Sequence, residues 1–292
     1  MKLETISEFK LGKTIQGFFL CKEKKLKYTK SNNAYLDLVL IDKTGSINAK
    51  MWDLIDNFQD RFNIGDPVAV KGKVGEYNNI TQLIVTQINL ASKKQYEKYG
   101  YSKDLLVKYV DESISDLWIK INNKIDYMNL PYKELVETTF DYYKDKIEQI
   151  PLSIDMQYPV YGSYLKNLSD ILDSAKSLIE HYPFLDKDLI FSGIMLYNIG
   201  KVKCINEDLL PNYSDEGQLL GHIVLSRDIV VDNAKKIKNF PKTILTNLEY
   251  IILFRQISKK NIIEDPQIPE AQFIYYLYEL DRMMYLSYLN AN

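Results

Sequence analysis

Histidine is nearly absent: the 292-residue chain has two, His181 and His222. A mechanism that needs a cluster of imidazoles, as ligands or as proton carriers, is therefore excluded. The two cysteines, Cys21 and Cys204, lie far apart. They form neither a thiolate metal motif nor a CxxC redox pair. Arginine is scarce, with four residues (Arg61, Arg227, Arg255 and Arg282), so bidentate reading of base edges is scarcely available. The GxxxxGK[ST], GxGxxG, GxSxG and HExxH motifs are all missing, which removes the common nucleotide, esterase and zincin readings. No run approaches the ~18 uninterrupted apolar residues of a membrane helix. The opening residues, Met1 to Thr14, lack the apolar core of a signal peptide. The expectation is a reduced, cytoplasmic, soluble protein with no membrane partner.

Apolar residues are plentiful at 46%, enough to bury sizeable cores, and charged residues make up 26%. At roughly 150 residues per domain the length predicts about two domains. Charge is nearly balanced, with 37 basic and 39 acidic side chains and a net charge of -2. Its distribution is uneven. Residues 1–91 carry 13 basic and 10 acidic side chains, and residues 92–292 carry 24 and 29. A mildly basic front and an acidic back point to different tasks.

The front reads as strands. Thr14 to Cys21 is rich in β-formers, and Ala34 to Ile41 alternates in part. Asp42-Lys43-Thr44-Gly45 is a turn, and Ser46 to Trp52 a third strand. Asp53 to Phe62 reads as a short helix, and Val68–Val74 and Gln82–Ile88 as two more strands. Three strands, a helix and two strands is the order of an OB-fold barrel, assigned to residues 1–91. Residues 92–150 are expected to be a helical linker, with helices over Leu105–Asn129 and Tyr132–Ile150 parted by Pro131. Residues 151–292 read as an all-α domain. Leu165, Leu168, Leu172, Ala175 and Ile179 form one apolar stripe. Further helices are expected over Asp188–Ile199, Gly221–Ile237, Lys242–Phe254 and Glu270–Leu289. The predicted class is multidomain α+β: a five-stranded OB-fold barrel, a helical linker and an all-α C-terminal domain.

An OB barrel serves several ligands, and nucleic acid is the leading one. Single strands are held by a positive lining and by exposed rings on which bases stack, at ~1–3 kcal/mol per base. The connection between strands 1 and 2 holds Lys22, Lys24, Lys25, Lys27 and Lys30 around Tyr28. Tyr35, Trp52 and Tyr77 lie on or beside strands, as does Phe18. These nine residues, Phe18 aside, are the candidate binding set for single-stranded RNA or DNA. A plainer reading makes the lysines a solvated loop and the rings core, and for Trp52 both readings stay open.

Nearly the whole chain resembles the YhaM-type 3′–5′ exoribonucleases, which join an N-terminal OB-fold to a C-terminal HD-type metal-dependent phosphohydrolase domain. In the barrel the likeness lies in Tyr35-Leu36-Asp37-Leu38, Asp42-Lys43-Thr44-Gly45-Ser46-Ile47, Lys50-Met51-Trp52-Asp53 and Gln82-Leu83. In the helical part it lies in Tyr182 to Leu189, Ser192 to Leu196, Ile199-Gly200-Lys201-Val202 and Tyr213 to Ile223. The resemblance implies an HD-like domain that would use Mn²⁺ or Mg²⁺. It fails where the family does its chemistry. The histidine pair is replaced by Gln157-Tyr158, the helix histidine by Asn167, and the name-giving His-Asp pair by Tyr197-Asn198. A later histidine pair becomes Phe254-Arg255, and Tyr278 occupies the last metal aspartate. Only His222 survives. HD sites use imidazole and carboxylate to hold a metal that activates water. Neutral phenols, an amide and a fixed cation cannot replace them. The resemblance therefore predicts a degenerate HD domain with no catalytic residue, no metal and no cofactor, serving as scaffold or interaction surface. Self-association or a protein partner would use that domain. Two alternatives remain: an exoribonuclease with an altered metal site, and a pure protein-interaction module.

Overall fold

The computed structural model describes residues 3–154, 160–258 and 267–291. The chain forms two compact units, the first built mainly on residues up to Tyr109 and the second mainly on residues from Val110.

The first unit is a closed barrel of five strands: β1 (Thr14–Tyr28), β2 (Ala34–Asp42), β3 (Gly45–Met51), β4 (Pro67–Tyr77) and β5 (Ile80–Leu90). Their order is β1-β2-β3-β5-β4, and β4 pairs back onto β1. Only β3 and β5 run parallel. Alternation puts Leu36, Leu38 and Leu40 inside from β2, and Ile47, Ala49 and Met51 from β3, each at most 7% exposed. Phe19 and Phe62 fill the interior with them. The β4–β5 hairpin closes on Asn78 and Asn79, both at positive φ (52° and 60°), a pair that suits the twist of flanking strands. The buried Asp42 carboxylate organises the β2–β3 turn by accepting from the Thr44 and Gly45 N–H groups (2.7 and 3.1 Å). It also accepts from the Ile6 N–H (2.7 Å), which ties down the N-terminal segment. A short helical segment, Ile55–Arg61, lies between β3 and β4. This is the OB-fold order read from the sequence.

One boundary differs with consequence. β1 runs to Tyr28 rather than ending at Cys21, with a bulge between Cys21 and Glu23. Of the lysines read as a connecting loop, Lys22, Lys24, Lys25 and Lys27 are therefore strand residues, and Lys30 alone lies in the turn. Lysine is a poor strand signal by itself, but here β2 supplies the pairing, from Glu23 against Val39 to Tyr28 against Ala34.

The second unit is helical: α1 (Ile114–Ile125), α2 (Tyr132–Gln149), α3 (Ser163–Ile179), α4 (Lys187–Tyr197), α5 (Lys201–Cys204), α6 (Asp215–Ala234), α7 (Lys242–Ser258) and α8 (Pro269–Ala291). The expected helix over Leu105–Asn129 begins only at Ile114, where the Ser113 hydroxyl caps the Asp116 N–H. Leu117, Ile121 and Ile125, four apart, then face the core. The α3 stripe from Leu165 to Ile179 is buried throughout. α4 is buried on every side from Ser192 to Tyr197, so it has no polar face to advertise it. α6 starts six residues before the expected Gly221, because Ser214 caps Gly217 and a kink at Gly221 (φ 72°) lets the chain continue. Gly200 sits where α4 and α5 meet α6. A Cβ there would lie 2.0 Å from the His222 carbonyl oxygen and 2.4 Å from the Ser226 nitrogen, so only glycine fits. Among the described residues no helix is long and apolar enough to cross a membrane.

Candidate nucleic-acid interface

Directly opposed residues of an antiparallel pair share a face of the sheet. Lys25 pairs with Asp37, and Lys27 with Tyr35. Asp37 in turn pairs with Lys50 of β3. These side chains lie on the outer wall, because Leu36, Leu38, Ala49 and Met51 fill the inner one. Trp52 follows β3 directly and stacks on Tyr35, with ring centroids 4.6 Å apart and 26° between planes. Lys50 completes the arrangement. Its ammonium lies 5.4 Å from the Tyr35 ring centroid, 5.8 Å from Trp52 and 5.7 Å from Tyr77. Three rings and one cation thus converge from β2, β3 and β4. Trp52 is 41% and Tyr77 62% exposed, which decides between core and surface for both.

The structure separates the remaining candidates. Lys24 projects to the opposite side of the hairpin, the side of Leu36 and Leu38. Its ammonium donates to the carbonyls of Gln59 and Phe62 and sits 4.4 Å from the Phe62 ring centroid. Its ammonium is thereby bonded within the barrel. Tyr28 opposes Ala34 on that side too, exposed. Lys25 is paired with Glu23 at 2.7 Å, and Lys27 with Asp37. The Asp37 hydrogen bond holds the Lys27 ammonium above the usual lysine range, and that of Lys25 pulls the Glu23 carboxyl below its own. Lys22 falls in the bulge, and Lys30 is exposed in the turn beyond β1. Sequence reasoning missed Lys50. The available signal was the alternation Ser46, Asn48, Lys50 opposite the inward Ile47, Ala49, Met51.

In the helical unit three of the positions that the family resemblance singled out, Tyr197, Asn198 and Tyr278, touch one another. Tyr197 of α4 and Tyr278 of α8 are stacked, centroids 4.8 Å apart and planes 15° apart. The Tyr278 hydroxyl donates to the Ile194 carbonyl (3.0 Å), and the Asn198 side chain hydrogen-bonds Tyr278. Burial pushes the Tyr278 phenol well up, as it does Tyr164 beside it. Asn167 donates to the Asp281 carboxylate (2.8 Å). Phe254 is buried edge-on to Tyr275 (5.7 Å). His222 is half-buried just past the Gly221 kink. Gln157, Tyr158 and the Arg255 side chain lie outside the described residues. Among the described residues no group of three or more His, Cys, Asp or Glu side chains is placed to hold a metal ion. Stacked phenols and amides already bonded to neighbours do not fit a dication, which needs charged oxygen or imidazole donors.

Residues 20–91 match a family model of the tRNA anti-codon type, described as an OB-fold nucleic acid binding domain. The front domain is thereby an OB-fold barrel, similar over these residues to that nucleic-acid-binding family. Solved structures similar to the chain include the second OB-fold domain of replication protein A from Methanococcus maripaludis. It is 24% identical, covers 32% of this chain and 97% of its own, and has a TM-score of 0.27. The mitochondrial single-stranded DNA binding protein Rim1 from S. cerevisiae is 17% identical over 28% of this chain and 96% of its own, with a TM-score of 0.25. A replication protein A heterotrimer bound to ssDNA is 16% identical over 31% of this chain and 64% of its own, with a TM-score of 0.24.

Proposed function

We propose that the barrel binds single-stranded nucleic acid, RNA or DNA, across the face formed by Tyr35, Lys50, Trp52 and Tyr77. The observation that carries this reading is the Lys50 ammonium set among three aromatic rings, two of them well exposed. Rings offer stacking to any base, and the ammonium offers charge to the phosphate between stacked bases, so the recognition is tolerant of sequence. The match of residues 20–91 to a nucleic-acid-binding OB-fold family supports the same reading.

The helical unit is, in this proposal, a YhaM-like HD domain whose metal positions have been rebuilt as packing. The mutual contact of Tyr197, Asn198 and Tyr278 supports it, with Asn167 and Phe254 bonded to or packed on Asp281 and Tyr275, neighbours of Tyr278 on the same helix. The domain then acts as scaffold or interaction surface. α8 presents exposed Tyr276, Leu280, Met283 and Met284 for such a contact. Titrating a fluorescent single-stranded oligonucleotide into the full chain at low and moderate salt tests the barrel. Binding that weakens with salt is expected. Absence of binding at low salt refutes the proposal.

A further inference from the structure

We infer that the barrel carries a second strand-binding groove on its β1–β4–β5 wall, which holds nucleotides beyond those on the Trp52 face. This rests on the reading of the barrel as a single-strand binder. The groove encloses about 1320 Å³. That exceeds the ~300–1,000 Å³ of a typical small-molecule pocket and suits an extended polymer.

Two cross-strand rows form its floor. Gln16, Lys71 and Gln87 stand side by side on β1, β4 and β5, and so do Phe18, Ala69 and Asn89. Ala69, with a single methyl between larger neighbours, leaves the depression. The turn after β5 supplies a wall with Lys94, Lys98 and the rings of Tyr96 and Tyr99. Tyr96 is braced edge-on against Phe18 (5.7 Å), while Tyr99 is 61% exposed. Arg61 also borders the groove, its guanidinium held by the Asn89 side chain (2.8 Å) and by the Phe58 ring (4.7 Å).

The charge pattern points to the ligand. Arg61, Lys71, Lys94 and Lys98 line the groove, and no carboxylate lines it. Among the described residues none of the four forms a salt bridge, whereas Lys25 and Lys27 of the β1–β2 hairpin both do. In a chain of net charge -2, four unneutralised cations sharing a concavity with aromatic rings and amides match phosphates and bases. An acidic peptide would also find the cations, but bases make fuller use of the rings and floor amides beside them.

The test uses the full chain and fluorescent oligothymidylates of about 5 and about 15 nucleotides, spanning the site sizes of OB-folds. Neutralising two cations with K94Q/K98Q is expected to reduce the slope of log K against log salt by about 1.4 for the longer strand. The slope for the shorter strand stays unchanged. Tyr99→Ala is expected to weaken the longer strand about fivefold or more, with the thermal midpoint preserved. The inference is overturned if K94Q/K98Q and Tyr99→Ala bind the longer strand like wild type while Trp52→Ala weakens both lengths. The reading of the barrel then still stands. It is overturned too if both strands lose equally, because the groove would then be part of the first site. If wild type binds neither strand, the barrel reading itself fails.

Discussion

Trp52→Ala tests the interface most directly, because its effects on binding and on folding can be separated. In the free protein the indole makes one stacked contact with Tyr35, worth ~0.5–1.5 kcal/mol, and one cation–π contact with Lys50, worth ~0.5–1 kcal/mol. At 41% exposure it also buries more than half of its surface, which adds about 2–3 kcal/mol. The folding cost is thus about 3–5.5 kcal/mol, against the ~5–15 kcal/mol stability of a typical domain, so the melting midpoint should fall clearly. Binding is therefore compared at a temperature where the melt shows the variant folded. In the complex the same indole holds a base at ~1–3 kcal/mol, so its removal should weaken binding about 5- to 150-fold. Fluorescence anisotropy with a labelled single strand measures the loss, and a thermal melt measures the fold. Trp52→Phe should restore much of the affinity, since a smaller ring still stacks. Lys50→Gln should lower the salt slope by about 0.7, the share of one phosphate contact on a single strand. The other indole, Trp118, bonds Glu148 (2.8 Å) in the helical unit. A Trp118→Phe background therefore leaves Trp52 as the sole reporter, and its emission should quench on binding. A folded Trp52→Ala protein with wild-type affinity and salt slope would refute the placement of the site.

Gly200→Ala should destabilise the helical unit by ~1–3 kcal/mol or more, because the new methyl meets backbone atoms of α6; circular dichroism melts check this. Asp42→Ala removes the acceptor of three backbone N–H groups and of the Thr44 hydroxyl, and should cost ~2–4 kcal/mol in denaturant unfolding of the barrel. Burial pushes the Cys21 thiol up to about 12. A pKa raised in the folded state means stability is retained below the unfolded thiol's pKa and falls as pH rises towards 12. Cys21 should accordingly resist maleimide at neutral pH and react promptly in denaturant, as mass spectrometry would show. Dialysis against Mn²⁺ followed by elemental analysis should return far less than one metal per chain. Stoichiometric manganese, or chelator-sensitive shortening of 3′-labelled RNA, would overturn the degenerate-site proposal.

Strand periodicity, turn chemistry and the apolar stripe of α3 were legible because each depends on neighbours within a few residues. Ser113 and Ser214 also act within one turn of themselves, yet the helices they start were expected at Leu105 and Gly221. The lysines of Lys22–Lys30 were misjudged for the opposite reason. Whether a lysine is free depends on what faces it across the sheet, and Glu23, Asp37 and the Gln59 and Phe62 carbonyls take up Lys25, Lys27 and Lys24. Local sequence carries no record of those partners.

By itself the sequence determined the order of strands and helices and the absence of an imidazole cluster, because these follow from residue type and spacing alone. Tertiary structure decided which exposed rings share a face, that Lys50 belongs with them, and that Tyr197 closes against Tyr278. Those contacts join residues tens of positions apart, and the closing of the barrel and the crossing of the helices bring them within reach.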